Sequence, residues 1–414
     1  MSAICAGCIL WRVNTLRSLL LPHGTRSWAW PLLQGRALRA FVDGYVAILL
    51  PAYLLALGLP GWAVGVLATA TLLGSALATL ALGAWGHRVA QQRLLSGAAL
   101  LMALTGFAFA ANTSFWPLLL IAFVGTLNPS SGDVSVFLPL EHARLADAAQ
   151  ADSRTHLFAR YGLLGALFSA FGALAAAWPD GLAAWLGVTR LQTLRGMFVL
   201  YGLVGCVLYV GYRNLPASPH PTQHMPAPLG ASRAVVVRLA ALFCVDSFAS
   251  GLTVNALLAL WLLQRFDMAL GAAGQFFFWS GLCSAASQLL APVLARRMGL
   301  LRTMVVTHIP ASLCLIAAAF TPSMPLALGL LIVRALLSQM DVPARSAFVM
   351  SVVTPAERAA AASFTLVPKS LASAAGPVVG AMFLGAGLLA APLLACGLLK
   401  ITYDLMLWRS FRKY

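Results

Sequence analysis

The sequence predicts an all-α integral membrane protein of twelve transmembrane helices arranged as two six-helix pseudo-repeats. Three observations carry that expectation. The 414 residues are 61% hydrophobic and 9% charged, with a mean hydropathy of +0.87, whereas about a quarter of a soluble domain is charged. Twelve apolar stretches are long enough to cross about 30 Å of hydrocarbon. Marks in the first half of the chain recur, in order, in the second.

The apolar stretches fall at 35–58, 61–83, 94–112, 115–138, 156–178, 195–212, 235–262, 270–294, 302–321, 325–349, 360–384 and 387–408. Each is expected to be helical, because hydrocarbon offers no partner to a free N–H or C=O. Aromatic residues in SFWPL (114–118) and MLWRSF (406–411) mark membrane boundaries. Residues 1–35 place the short apolar run ICAGCIL before Arg12, Arg17 and Arg26, the reverse of a secretory signal. They read as a cytoplasmic leader.

Arg and Lys set the orientation. The leader, the tail and the segments after spans two, four, six, eight and ten hold nineteen of them, among them Arg39, Arg144 and Arg238. The other side holds three, Arg190, Arg195 and Arg265. By the positive-inside rule both termini are cytoplasmic. The formal charge of +16 is then explained by topology and by contact with anionic lipid, a membrane partner. The basic residues are scattered singly between apolar runs, so nucleic acid is not expected as a partner.

The repeat rests on a ladder of matches. Asp43 in FVDGYVAILL recurs as Asp246 in CVDSFASGLT, 203 positions on; Arg88 and Arg93 recur as Arg297 and Arg302, and Ser130-x-x-Asp133 as Ser338-x-x-Asp341. The hinge is NLPASPHPTQHMPAPLGASR (214–233), rich in proline and small polar residues. The expected domains are therefore the leader 1–35, a first half 36–213, a linker 214–233 and a second half 234–414. Parallel repeats with a site between them are a transporter layout.

The loop after span two, GAWGHRVAQQR from Gly83, carries a resemblance to the major facilitator superfamily (MFS). The family motif is Gly-x-x-x-Asp-Arg-x-Gly followed by basic residues. Gly83 and Arg88 match it, His87 and Ala90 replace the Asp and the second Gly, and Arg93 follows. PVLARRMGLLR in the second half keeps Arg297, Gly299 and Arg302. DVPARSAFVM, TPAERAAAA and FCVDSFASG further resemble uncharacterised bacterial MFS permeases. The resemblance implies the MFS fold, a bacterial inner-membrane location, and a monomer that moves a small-molecule substrate by alternating access. It also implies that the first, fourth, seventh and tenth helices line the central cavity.

Asp43, Asp133, Asp246 and Asp341 sit on those four helices. A charge facing lipid costs at least about 2.5–3.5 kcal/mol, so each carboxylate is expected to point into the bundle. Arg334, Ser338, Asp341 and Arg345 follow helical spacing and form one expected polar stripe. Arg160 and Lys369 add positive charge on the following helix of each half. Two roles stay open for the aspartates: proton coupling, or fixed ion pairs with Arg160, Arg345 or Lys369. Asn255 is a candidate substrate contact or packing group. Lys400 and Asp404, four residues apart, read as a self-neutralised pair. Glu141, His142, Asp147, Asp152 and His156 read as a solvated cytoplasmic loop.

Other chemistries find no support. P-loop, GxGxxG, HExxH and GxSxG motifs are absent. One lone CxxC (Cys5, Cys8) is too little for zinc, and His220 and His224 lie in the linker. The expectation is a non-enzymatic secondary transporter with no cofactor or metal, drawing on the proton gradient. Export of a small organic or amphipathic solute leads; proton-symport import, or a non-transporting membrane sensor, are the alternatives.

Overall fold

Apolar length decides where the chain becomes helical, and proline and glycine decide where helices stop. The computed structural model describes residues 21, 24–130, 135–216, 230, 232–354 and 357–412. The first half comprises α1 (Trp30–Ala56), α2 (Trp62–Trp85), α3 (Gln91–Ala111), α4 (Phe115–Val124), α5 (Phe137–Ala148), α6 (Ala151–Leu174), α7 (Trp178–Leu186) and α8 (Arg190–Arg213). The second comprises α9 (Arg233–Gly251), α10 (Asn255–Phe266), α11 (Leu270–Met298), α12 (Leu300–Phe320), α13 (Met324–Ser338), α14 (Asp341–Val352), α15 (Arg358–Gly385) and α16 (Ala391–Phe411). Helix α1 begins earlier than the expected leader boundary, with Pro31 in its first turn, where proline's missing N–H costs nothing.

Among the described residues, ten segments are long and apolar enough to cross a membrane. The expected fourth and tenth spans are shorter apolar helices, Phe115–Val124 and Met324–Ser338. Each was expected to run on; instead each stops, and a second helix, α5 or α14, continues. Pro139 and Pro343 occupy the third positions of those second helices. Each lacks the N–H that would bond back across the break. The seventh expected span also divides, at Leu252–Val254 between α9 and α10. Two breaks satisfy one another across the halves: the Ala256 N–H donates to the Pro129 carbonyl at 3.0 Å. Broken backbone is tolerated at membrane depth only where protein or a cavity receives its polar groups.

The halves repeat the same pairings. Helix α1 packs on α6 as α9 packs on α15, and α3 on α8 as α12 on α16. Between halves, α2 meets α15 and α6 meets α11. Close approach at these crossings needs glycine. A Cβ on Gly172 would lie 1.9 Å from the Phe41 carbonyl oxygen, and one on Gly376 would lie 2.4 Å from the Gly251 Cα. The GPxxG stretch at 376–380 is thus a close-packing surface.

Where the linker rejoins the bundle, Glu357 accepts hydrogen bonds from the Gly230 N–H (2.7 Å) and the Ser232 N–H (3.0 Å). Hydrogen bonds from Ser232 and Gly230 hold its carboxyl down at about 2, against an ordinary 4.5.

Candidate functional site

A cavity of about 500 Å³ lies between the halves. Its lining runs from Ala47, Ala173 and Phe277 toward Arg36, Phe158 and Gln288, that is, toward the side carrying both ends of the bundle. On the opposite side α2 packs against α15, where the Val378 N–H donates to Thr69 Oγ1 at 3.0 Å. The cavity is closed there. Arg36 on α1 and Arg334 on α13 face it from opposite halves, with His142, Asn255, Ser338 and Gln339. Phe158 and Phe277 supply apolar walls.

The sequence-predicted residues divide sharply. Arg334 and Asn255 line the cavity; Asp43, Asp246, Asp341, Arg160, Arg345 and Lys369 are not part of its lining. Asp133 lies outside the described residues, as do His220 and His224. Asp43, Asp246 and Asp341 are buried, at 6%, 3% and 3% exposure. Arg36, Arg39 and Asn128 surround the Asp43 carboxylate. The expected stripe on span ten does not hold as one face: the turn at Gln339–Met340 leaves Arg334 and Ser338 on the cavity and sends Asp341 and Arg345 into the second half.

There they join a buried network. Arg345 Nη2 bridges Asp341 and Asp246, 2.9 Å from the latter. Lys400 Nζ donates to Asp246 Oδ1 at 2.8 Å and lies 3.3 Å from His308 Nε2. His308 Nδ1 sits 3.0 Å from Asp404 Oδ2. The expected Lys400–Asp404 pair is therefore corrected: one helix carries both, but each turns to a different partner, on α9 and on α12. His308 carried no pattern of its own in sequence, being one histidine in an apolar run.

The first half holds a different cluster. Arg39 grips Glu141 through both oxygens, at 2.5 and 2.8 Å. Tyr212 donates to the same carboxylate at 2.7 Å, and Tyr161 donates to it as well. Glu141 is fully buried, which corrects its reading as part of a solvated loop: α5 turns that face inward. Arg39, counted as a membrane-surface charge, is equally buried. A leucine-rich neighbourhood hides such a pair, because its members stand 102 positions apart.

A family model described as Major Facilitator Superfamily matches residues 32–324. The chain belongs to that superfamily. It is a multi-pass membrane transporter and not an enzyme. An uncharacterized membrane protein of Saccharomyces cerevisiae is 24% identical over 406 residues, covering 89% of this chain and 91% of its own. Several solved MFS structures share the fold. The nucleoside transporter NupG superposes with a TM-score of 0.71 at 16% identity, over 94% of this chain and 99% of its own. A bacterial homolog of the human lysosomal transporter Spinster, inward-facing and occupied, gives 0.71 at 17%, over 93% and 97%. A D-xylose-proton symporter gives 0.70 at 16%, over 92% and 98%.

The MFS loop residues keep their places without a latch. Arg88, Arg93, Arg297 and Arg302 are exposed and make no ion pair among the described residues. Gly83 lies near the end of α2, and Gly299, at φ +88°, turns α11 into α12.

Proposed function

We propose that the protein is a proton-coupled secondary transporter that exports a small organic solute by alternating access. The observation that carries this reading is the cavity, lined from both halves and closed on the side away from the chain ends. Charge bias assigns those ends to the cytoplasm, so the described conformer offers its site to cytoplasmic solute. The resemblance to bacterial permeases supports an inner-membrane location. Rocking about the α2–α15 and α6–α11 contacts would move the opening to the other face. No cofactor is called for; the proton gradient supplies the work.

The second-half network is the proposed coupling element. A neutral His308 with its proton on Nδ1 meets both neighbours: Nδ1–H donates to Asp404, and Nε2 accepts from Lys400. A second proton, on Nε2, sets two cations against each other at that spacing. Lys400 is then driven toward Asp246, whose other cation is Arg345. Asp341 and Lys369 are the further charged groups facing this cluster among the described residues. Proton uptake thereby re-sorts contacts among α9, α12, α14 and α16, making those aspartates and their cations members of one switch.

The D-xylose-proton symporter supports a second reading, proton symport into the cell. A solute panel in proteoliposomes under an imposed pH gradient separates the two. Export by antiport expects solute to accumulate in the acidic compartment, and symport expects it in the alkaline one. Accumulation that ignores the gradient overturns proton coupling altogether.

A further inference from the structure

Among the described residues, the charged groups that line the cavity are of one sign. Two guanidinium groups, Arg36 and Arg334, line it from opposite halves, and no Asp or Glu lines it among the described residues. Within the described second half, the carboxylates are spoken for. Asp246 and Asp341 are held by Arg345 and Lys400, and Asp404 by His308. Arg334 makes no hydrogen bond or ion pair among the described residues, although it is only partly exposed and lies at membrane depth on α13. A cation with no counter-charge among the described residues is costly to hold there, and a protein that maintains one has a use for an anion from outside the chain.

The rest of the lining says what kind of anion. Phe158 and Phe277 offer apolar surface from α6 and α11, and Asn255 and Gln339 offer directional hydrogen bonds. A volume of about 500 Å³ falls within the range of sites for small organic ligands. We infer that this cavity is a binding site for a small organic acid with an apolar body, its carboxylate or phosphate held by the fork of Arg334 and its body lying between Phe158 and Phe277. A planar guanidinium matches either oxyanion bidentately. This inference rests on reading the cavity as the substrate site, and it deepens that reading by naming the substrate class.

Binding to the purified full chain tests it without requiring transport. Four probes of nearly one shape serve: benzoate, phenyl phosphate, benzylamine and benzyl alcohol. Calorimetry and the shift in unfolding temperature are expected to detect benzoate or phenyl phosphate at millimolar concentration or below, and neither the amine nor the alcohol. R334Q is expected to weaken the anion at least about tenfold, the effect of losing roughly 1.4 kcal/mol, while R334K keeps anion selectivity with reduced affinity. R265Q, an exposed arginine at the end of α10, is the control and leaves binding unchanged. Equal binding of benzylamine, anion binding that R334Q leaves intact, or no anion binding in the millimolar range each overturns the inference. Should R334Q fail to fold, the four-probe comparison on the wild type and R334K decides alone. Anion binding without any movement in proteoliposomes would sink the transport reading and leave the anion site standing; gradient-driven movement of a cation or neutral solute would do the reverse.

Discussion

The two halves share a helical frame and differ in what they bury. In the first, Glu141 is saturated: two bonds from Arg39 and one each from Tyr161 and Tyr212. Its partners are one guanidinium and two hydroxyls, all donating to it. In the second, Asp246 shares its cations with Asp341 and, through Lys400 and His308, with Asp404. One cluster closes as a clasp on a single carboxylate, and the other links three carboxylates and a histidine through shared partners. Duplication copied packing, where backbone contacts leave little freedom; it left each interior free to acquire its own charges.

The largest effect is expected where the clasp is broken. Glu141→Ala strands Arg39 in the core and should cost about 3–5 kcal/mol, read from unfolding in a lipid-like medium. The R39M/E141L double variant, which removes both charges, should recover most of that loss. A cost below about 1 kcal/mol for Glu141→Ala would mean that the cluster is no clasp.

His308→Gln sharpens the contrast from the other side. One exchanged proton per solute lets a gradient of one pH unit support a concentration ratio of about ten. The variant is expected to bring that ratio to about one while solute counterflow persists. Uphill transport at the wild-type ratio would remove His308 from the coupling path.

Packing should respond alike in both halves, unlike charge. Gly172→Ala meets the Phe41 carbonyl and Gly376→Ala meets Gly251, so each should cost about 1–3 kcal/mol through overpacking. Gly162→Ala, with open space around it, should be tolerated. A marked inequality between the first two would show that the repeat does not extend to these crossings.

The smallest effect belongs to Glu357. Its carboxyl is held near 2, below its ordinary 4.5, so the charged form is favoured in the folded chain. The resulting stabilisation is present above about pH 4.5 and disappears as pH falls through the window toward 2. Glu357→Gln should lower the unfolding temperature slightly at neutral pH, with the difference from wild type closing across that window; a difference that persists at its lower end would mean that the hydrogen bonds and not the charge matter.

Reading residues in order recovered the membrane, the helices and the repeat, and the structure sets two of its candidates, Arg334 and Asn255, on the cavity lining. It misplaced Glu141, Arg39 and Lys400 for one physical reason. Local spacing gives the face of a helix that a side chain occupies, but not what stands across from it. The stripe from Arg334 to Arg345 failed differently: the spacing was right for a continuous helix, and Pro343 marks where the helix is not continuous.

Sequence alone determined the solvent and the secondary structure of this chain, because hydrophobic length and the cost of an unsatisfied peptide group act on each segment independently. It also determined the duplication, since matched residues keep their order. Which charges neutralise one another was decided by tertiary structure. Lys400 and Asp246 meet across 154 positions, and only the register between packed helices brings an ammonium to one carboxylate and leaves a guanidinium facing the cavity.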